Sequence, residues 1–304
     1  MGEPLEVACW HHARMDLHEW PGHDLTDAEL DVAYNVSAKA GEELFARHMA
    51  RYRSMSEAAV DGLPGRPGLV YDEASGEALD VWGIEDGRLR PVFVFVHGGY
   101  WRALSRHDSA FMARMLDGAG VATVVPDYTL APKATLEEIV RQVRAAVAWV
   151  YRDGREHGLD PDRIVVGGSS AGGHLTGMTM VGGWQEGLGL PADVVKAVMP
   201  FSGLFDIRPI QRVYANEWLH LDVERAAALS PELLPAGRRF PAVIAVAEHD
   251  GTGFLEQSRR FHRHWGEAAE LLVVPERDHF DVVLDLADPR SAASRALLGL
   301  VRSV

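Results

Sequence analysis

Ile164-Val165-Val166-Gly167-Gly168-Ser169-Ser170-Ala171-Gly172-Gly173-His174-Leu175 is the stretch around which the chain is organised. A short β-branched run stops in small residues, and a helix-compatible run follows at once. Gly168 to Gly172 spells G-x-S-x-G, the pattern of a nucleophilic serine on a sharp strand-to-helix turn. A serine held in such strained backbone geometry needs small neighbours, because only they let the chain pack that closely. Its Oγ then stands clear of the sheet, beside the positive end of the next helix. Glycine-rich strand-to-helix turns also cradle phosphates or merely turn corners, so the motif needs partners elsewhere in the chain.

Those partners sit at the ends of other predicted strands. Pro91–Val96 is a continuous apolar run, as expected of a strand buried on both faces. Further strands are expected at Val121–Val125, Val194–Met199, Val243–Val246 and Leu271–Val274, with helices near Asp108–Leu116, over Leu136–Tyr151 and over Ser291–Val301. Thr135 and Glu138 read as a capping box for the Leu136 helix. Strands alternating with helices predict an α/β fold: a mainly parallel sheet with helices on both faces. Leu69–Tyr71 and Ala78–Trp82, separated by Ala74-Ser75-Gly76, predict an antiparallel pair at one edge.

Open parallel sheets bind ligands beyond the carboxyl ends of their strands. The strand ending at Val96 runs into His97-Gly98-Gly99-Tyr100-Trp101. Small residues there let backbone N–H groups face a developing oxyanion, and the expected donors are the amides of Gly99, Tyr100 and Ala171. After Val246 come Glu248, His249, Asp250 and Gly251, and either acid could orient a histidine. Asp250, farther beyond the strand and in a turn, is favoured. The last strand leads into Asp278-His279-Phe280, which places a histidine within reach of the serine. The order Ser170, Asp250, His279 is that of the α/β hydrolases. His174 reads as structural, His97 as a brace for the glycine loop, and His249 as a weaker rival to His279.

The formal charge of −14 argues against nucleic acid as a partner. The single cysteine, Cys9, cannot close an internal disulfide, which suits a reducing compartment. Neither a secretory leader nor an apolar run of membrane-spanning length is visible, so the expectation is a soluble cytoplasmic protein acting on a small molecule, with a homodimer left open. His11, His12 and His18 match no metal-ligand spacing, and no cofactor or metal is expected; residues 1–20 read as an arm lying on the body. Thr26–Ala59 predicts two helices broken near Gly41. Residues 1–65 form an N-terminal extension of a single domain spanning 1–304, and about 207–235, which breaks the alternation, form an inserted cap.

His97-Gly98-Gly99-Tyr100-Trp101, Gly168 to Leu175 and His279-Phe280 together resemble the kynurenine formamidase (arylformamidase) branch of the α/β hydrolases, related to the hormone-sensitive-lipase-like esterases. Asp127-Tyr128-Thr129-Leu130-Ala131-Pro132 and Ser202 to Asp206 extend the likeness, which runs from about Asp80 to the C-terminus. The resemblance implies a metal-free serine hydrolase cleaving an N-formyl aryl amide or a small aryl ester, with the triad on Ser170, Asp250 and His279. A broad short-chain carboxylesterase needs the same triad, whereas a non-catalytic binding protein on this fold should lack part of it. Trp101, Phe280 and Trp218 are expected to wall the substrate pocket, favouring a flat aryl group.

Overall fold

The computed structural model describes residues 17–304; Cys9, Trp10, His11 and His12 lie outside them. In chain order, helices α1 (Asp27–Tyr34), α2 (Val36–Ala40) and α3 (Glu42–Val60) precede strands β1 (Gly65–Asp72), β2 (Glu77–Trp82) and β3 (Arg90–Val96). Then come α4 (Ala113–Gly118), β4 (Ala122–Pro126), α5 (Leu136–Arg152), β5 (Leu159–Ser169), α6 (Ala171–Met180), α7 (Trp184–Gly187) and β6 (Ala197–Phe201). The short α8 (Asn216–Leu219) and α9 (Val223–Ala228) lead to β7 (Ala242–Ala247), α10 (Thr252–Trp265), β8 (Ala269–Val274) and α11 (Ala292–Ser303).

The described residues form an eight-stranded sheet in the order β1-β2-β4-β3-β5-β6-β7-β8. β1 and β2 run antiparallel to their neighbours, as the Leu69 and Ala78 runs predict, and the rest of the sheet is parallel. The period of two is visible inside the apolar runs. Phe93 and Phe95 of β3 and Val165 of β5 face one layer, with Leu116 of α4 and Leu297 of α11. Val92, Val94 and Val166 face the other, with Val147 of α5 and Phe261 and Trp265 of α10. Both faces are therefore covered, which is why these strands read as continuous hydrophobic runs.

Two local expectations change. The Thr135 cap is half a box: Thr135 Oγ1 accepts from the Glu138 amide at 3.3 Å, but the Glu138 carboxylate turns to Arg141 at 2.7 and 2.8 Å. A charged guanidinium outcompetes a backbone amide for it. The complete box is at Thr26, whose amide donates to Glu29 at 2.8 Å. The extension contains three helices rather than two, because Asn35 caps α2 as well as ending α1.

Chain direction sets where the site lies. β3 connects to β4 on one side while β5 continues the sheet on the other, so the crevice between β3 and β5 is the topological switch point. Val96 pairs with Gly168 there, bringing the glycine loop beside Ser170. At the next strand ends Ala247 pairs with Val274, which makes the Asp250 and His279 loops neighbours.

The elbow glycines are fixed by distance. A Cβ on Gly172 would lie 2.0 Å from the Val96 carbonyl, and one on Gly168 would lie 2.4 Å from the Gly172 carbonyl. By contrast a Cβ on Gly299, inside α11, meets nothing within 4 Å. Gly172→Ala should therefore abolish soluble folded protein or lower Tm by many degrees, whereas Gly299→Ala should stabilise by about 0.5–1 kcal/mol. Thermal unfolding of the two variants checks both signs.

Candidate active site

Ser170 occupies the N-cap of α6 with φ 57° and ψ −116°, a conformation that L-residues rarely adopt. It is held there by its amide, which donates to the Phe201 carbonyl at 2.9 Å, and by its carbonyl, which accepts from the His174 amide at 3.0 Å. Every residue of α6 is buried, so the helix after the serine runs straight into the core. His279 Nδ1 and Asp250 Oδ1 lie 2.8 Å apart, and both residues are buried. The same Asp250 oxygen accepts from the Gly251 amide at 2.7 Å, which orients the carboxylate. Glu248 is turned elsewhere and accepts from the Glu276 amide at 2.9 Å. The His249 side chain is largely exposed.

Beside the serine, Gly99, Tyr100 and Trp101 all have positive φ, of 91°, 50° and 58°. The turn closes through the Arg102 and Ala103 amides, which both donate to the Gly99 carbonyl at 3.0 Å. A Cβ on Gly99 would sit 2.3 Å from the Ala103 carbonyl, so this position too excludes a side chain. The amides of Gly99, Tyr100 and Ala171 donate to no acceptor among the described residues. His97 braces the loop from beneath: its Nδ1 lies 3.0 Å from the Gly98 carbonyl, and its ring stacks on Tyr128 at 4.1 Å. Burial holds the His97 imidazole below its usual pKa.

Ser170, His279, Gly98 and Gly99 line one cavity of about 280 Å³. Phe280 and Trp218 line it as well, but Trp101 does not. The left-handed turn points the Trp101 ring inward, where it is fully buried and meets His174 edge-on at 5.1 Å. Trp101 is thus a core residue under the glycine loop, which corrects its expected place against the substrate. The segment 207–235 supplies Tyr214 and Trp218 from around α8, and the Trp218 indole donates to the Tyr100 carbonyl at 3.0 Å. Its base is a buried ion pair: Arg208 donates to Asp206 at 3.0 and 2.9 Å.

The N-terminal helices are part of the site, which the sequence pattern did not reveal. Phe45, Met49 and Tyr52 of α3 wall the cavity. The Tyr52 hydroxyl donates to the Phe280 carbonyl at 2.7 Å, and His48 Nε2 lies 3.1 Å from Asp278 Oδ2, so α3 grips both neighbours of His279. Lys39 of α2 donates to the carbonyls of His249 and Asp250. These contacts span more than 200 residues of sequence, and amphipathic spacing shows only that α3 packs somewhere. Among the described residues no three His, Cys, Asp or Glu side chains are grouped as metal ligands, and no helix is long and apolar enough to cross a membrane.

A strained serine, a buried Asp–His pair and uncommitted amides around one cavity are the components of acyl transfer through a covalent intermediate. Known proteins place the chain more closely. It is 30% identical over 299 residues to a kynurenine formamidase of Danio rerio, an alignment covering 94% of this chain and 99% of that protein. The chain belongs to the kynurenine formamidase family of α/β hydrolases. Residues 79–263 also match the BD-FAE family model. A carboxylesterase, NlhH, of Mycobacterium tuberculosis is 32% identical over 183 residues, 53% of this chain and 56% of that one. A crystal structure from Silicibacter sp. TM1040 superposes with a TM-score of 0.75 at 28% identity, covering 90% of this chain and 98% of that one. Membership makes the protein a hydrolase enzyme of the α/β-hydrolase type.

His174, part of the family-like Gly168–Leu175 stretch, has no place in the cavity. It is fully buried, and its Nε2 lies 2.8 Å from the Leu229 carbonyl, tying α6 to the end of α9. Burial lowers its pKa to about 4. The unfolded chain takes up this proton below about pH 6.5, the folded one only below about 4, so protons favour unfolding within that window. Stability should fall as pH drops from about 6.5 toward 4, by an amount on the order of 3 kcal/mol from this group alone. Thermal unfolding across that range, with NMR titration of the His174 ring, checks it; a ring titrating near pH 6.5 would contradict it.

Proposed function

We propose that this hydrolase removes a small acyl group, formyl or acetyl, from an aryl amine or phenol through a Ser170 acyl-enzyme. The observation that carries the reading is the buried 2.8 Å contact of His279 with Asp250 at the cavity that Ser170 lines. Ser170 Oγ attacks the acyl carbonyl while His279 Nε2 takes its proton. Asp250 holds the ring through Nδ1 and stabilises the imidazolium. Negative charge on the carbonyl oxygen is met by the amides of Gly99, Tyr100 and Ala171, which have no competing acceptor among the described residues. His279 then delivers the proton to the departing nitrogen or oxygen. Water, deprotonated by the same imidazole, attacks the acyl-serine and releases the carboxylic acid and free Ser170.

Two features support a small acyl group and an aryl leaving group. A Cβ on Gly98 would lie 3.3 Å from the Ser170 Cβ, so the loop crowds the serine closely. Farther out, Tyr100, Tyr214, Trp218 and Phe280 offer flat faces. Family membership adds the formamidase activity carried in the name of the Danio rerio relative. The likeness to the mycobacterial carboxylesterase supports a second reading, short-chain ester hydrolysis at the same serine.

Ser170→Ala should lose fluorophosphonate labelling and reduce kcat by roughly 10⁴-fold or more, while Ser169→Ala keeps both. Asp250→Asn should cost about 10³–10⁴-fold in kcat, and Glu248→Gln far less. The substrate test sets an N-formyl aryl amide beside aryl acetates and a dodecanoyl ester. A marked kcat/KM preference for the formyl and acetyl compounds is expected. Comparable rates for the acetate and the dodecanoate would overturn the small-acyl reading, and high esterase with no formamidase activity would favour the second one.

A further inference from the structure

The Ser170 cavity is walled almost wholly by apolar and aromatic side chains, and neither Asp nor Glu lines it. Its one arginine is Arg102, three residues beyond the oxyanion-loop glycine Gly99. We propose that Arg102 forms an anion subsite at the mouth of this cavity, binding a carboxylate carried on the leaving-group side of the aryl substrate. The proposal rests on the aryl-acyl reading given above.

Three observations fix the guanidinium in place. The Arg102 amide donates to the Gly99 carbonyl at 3.0 Å, tying its backbone to the loop beside Ser170. Its guanidinium carbon lies 4.6 Å from the centroid of the Trp218 ring. That ring is itself pinned, by its indole bond to the Tyr100 carbonyl at 3.0 Å and by its edge contact with Tyr214 at 5.5 Å. Stacking occupies only the face of a guanidinium and leaves the in-plane N–H donors free to grip a carboxylate.

Those donors have no partner among the described residues. Arg102 makes no ion pair or side-chain hydrogen bond to any described residue. Arg106, four residues farther along the chain, is by contrast paired with Asp80 and Asp127. In a chain of formal charge −14, an uncompensated cation at the mouth of an apolar cavity opposes the overall field at the entry point. Gly98 packs close against Ser170, where a Cβ on it would lie 3.3 Å from the Ser170 Cβ. Arg102 is exposed at the outer end. The anion therefore belongs on the leaving group, pointing toward solvent.

The test compares 4-acetoxyphenylacetate with its neutral primary amide, which share acyl group and phenolic leaving group. Wild-type enzyme should prefer the carboxylate by about tenfold or more in kcat/KM, mainly through KM, as expected for a charge-assisted bidentate contact at a partly exposed site. Raising ionic strength should shrink that preference. In Arg102→Met the carboxylate-to-amide ratio should fall toward one, and Arg102→Lys should restore part of it. Equilibrium binding of 4-hydroxyphenylacetate and its amide to Ser170→Ala protein gives a readout free of chemistry and should show the same order. Equal ratios in wild type and Arg102→Met, or equal binding of the two ligands to Ser170→Ala protein, would overturn the subsite. If wild type hydrolyses neither ester while the anion still binds preferentially, the acyl-transfer reading fails and the subsite stands.

Discussion

Everything around Ser170 depends on how closely three pieces of backbone approach one another. β3, β5 and the first turn of α6 meet at Gly168 and Gly172 with no space for a single added carbon. That approach turns the chain sharply enough to leave Ser170 at positive φ, and it stacks the glycine loop after β3 beside the serine. Strain of this kind costs on the order of 1–3 kcal/mol and survives only where the surroundings over-determine it. Here they do: α6 is buried along its whole length, and the Ser170 amide and carbonyl are both committed. Ser170 is thus aimed by its main chain.

The Asp250–His279 half of the site is held differently. Asp250 and His279 stand on adjacent loops beyond β7 and β8, and loops alone would leave them loose. Their stiffness comes from contacts reaching in from elsewhere. Gly251 fixes the Asp250 oxygen that meets the imidazole, Phe254 packs on the His279 ring at 4.4 Å, and α2 and α3 secure the flanking carbonyls. One half of the site is rigid through close packing within the sheet. The other is rigid through tethering from outside it.

This division explains what could be read from the chain. The parallel sheet, the elbow and the order of Ser170, Asp250 and His279 were legible because each leaves a local mark: an apolar run, a cluster of glycines, a polar residue just past a strand. Asp250 could be preferred over Glu248 on position alone, and it is the one that meets His279. Trp101 could not be placed, because its direction depends on three consecutive left-handed residues, a reversal with no period. The Thr135 box was misread because competition from Arg141 is a matter of side-chain reach. The part played by α3 was hidden for the plainest reason. Its partners are far away in sequence, and an amphipathic helix carries no address.

That distance bears on how the molecule is made. A chain is synthesised from its N-terminus, and the helix that grips the neighbours of His279 is finished early. Its counterparts, Asp278 and Phe280, follow 230 and 228 residues behind His48 and Tyr52 respectively. Until they emerge, α3 has nothing to grip at this end of the sheet. The clasp around His279 is therefore complete only when α3 and the loop after β8 are both present. Shortening the protein from either end, past Tyr52 or before Asp278, would remove opposite halves of the same clasp.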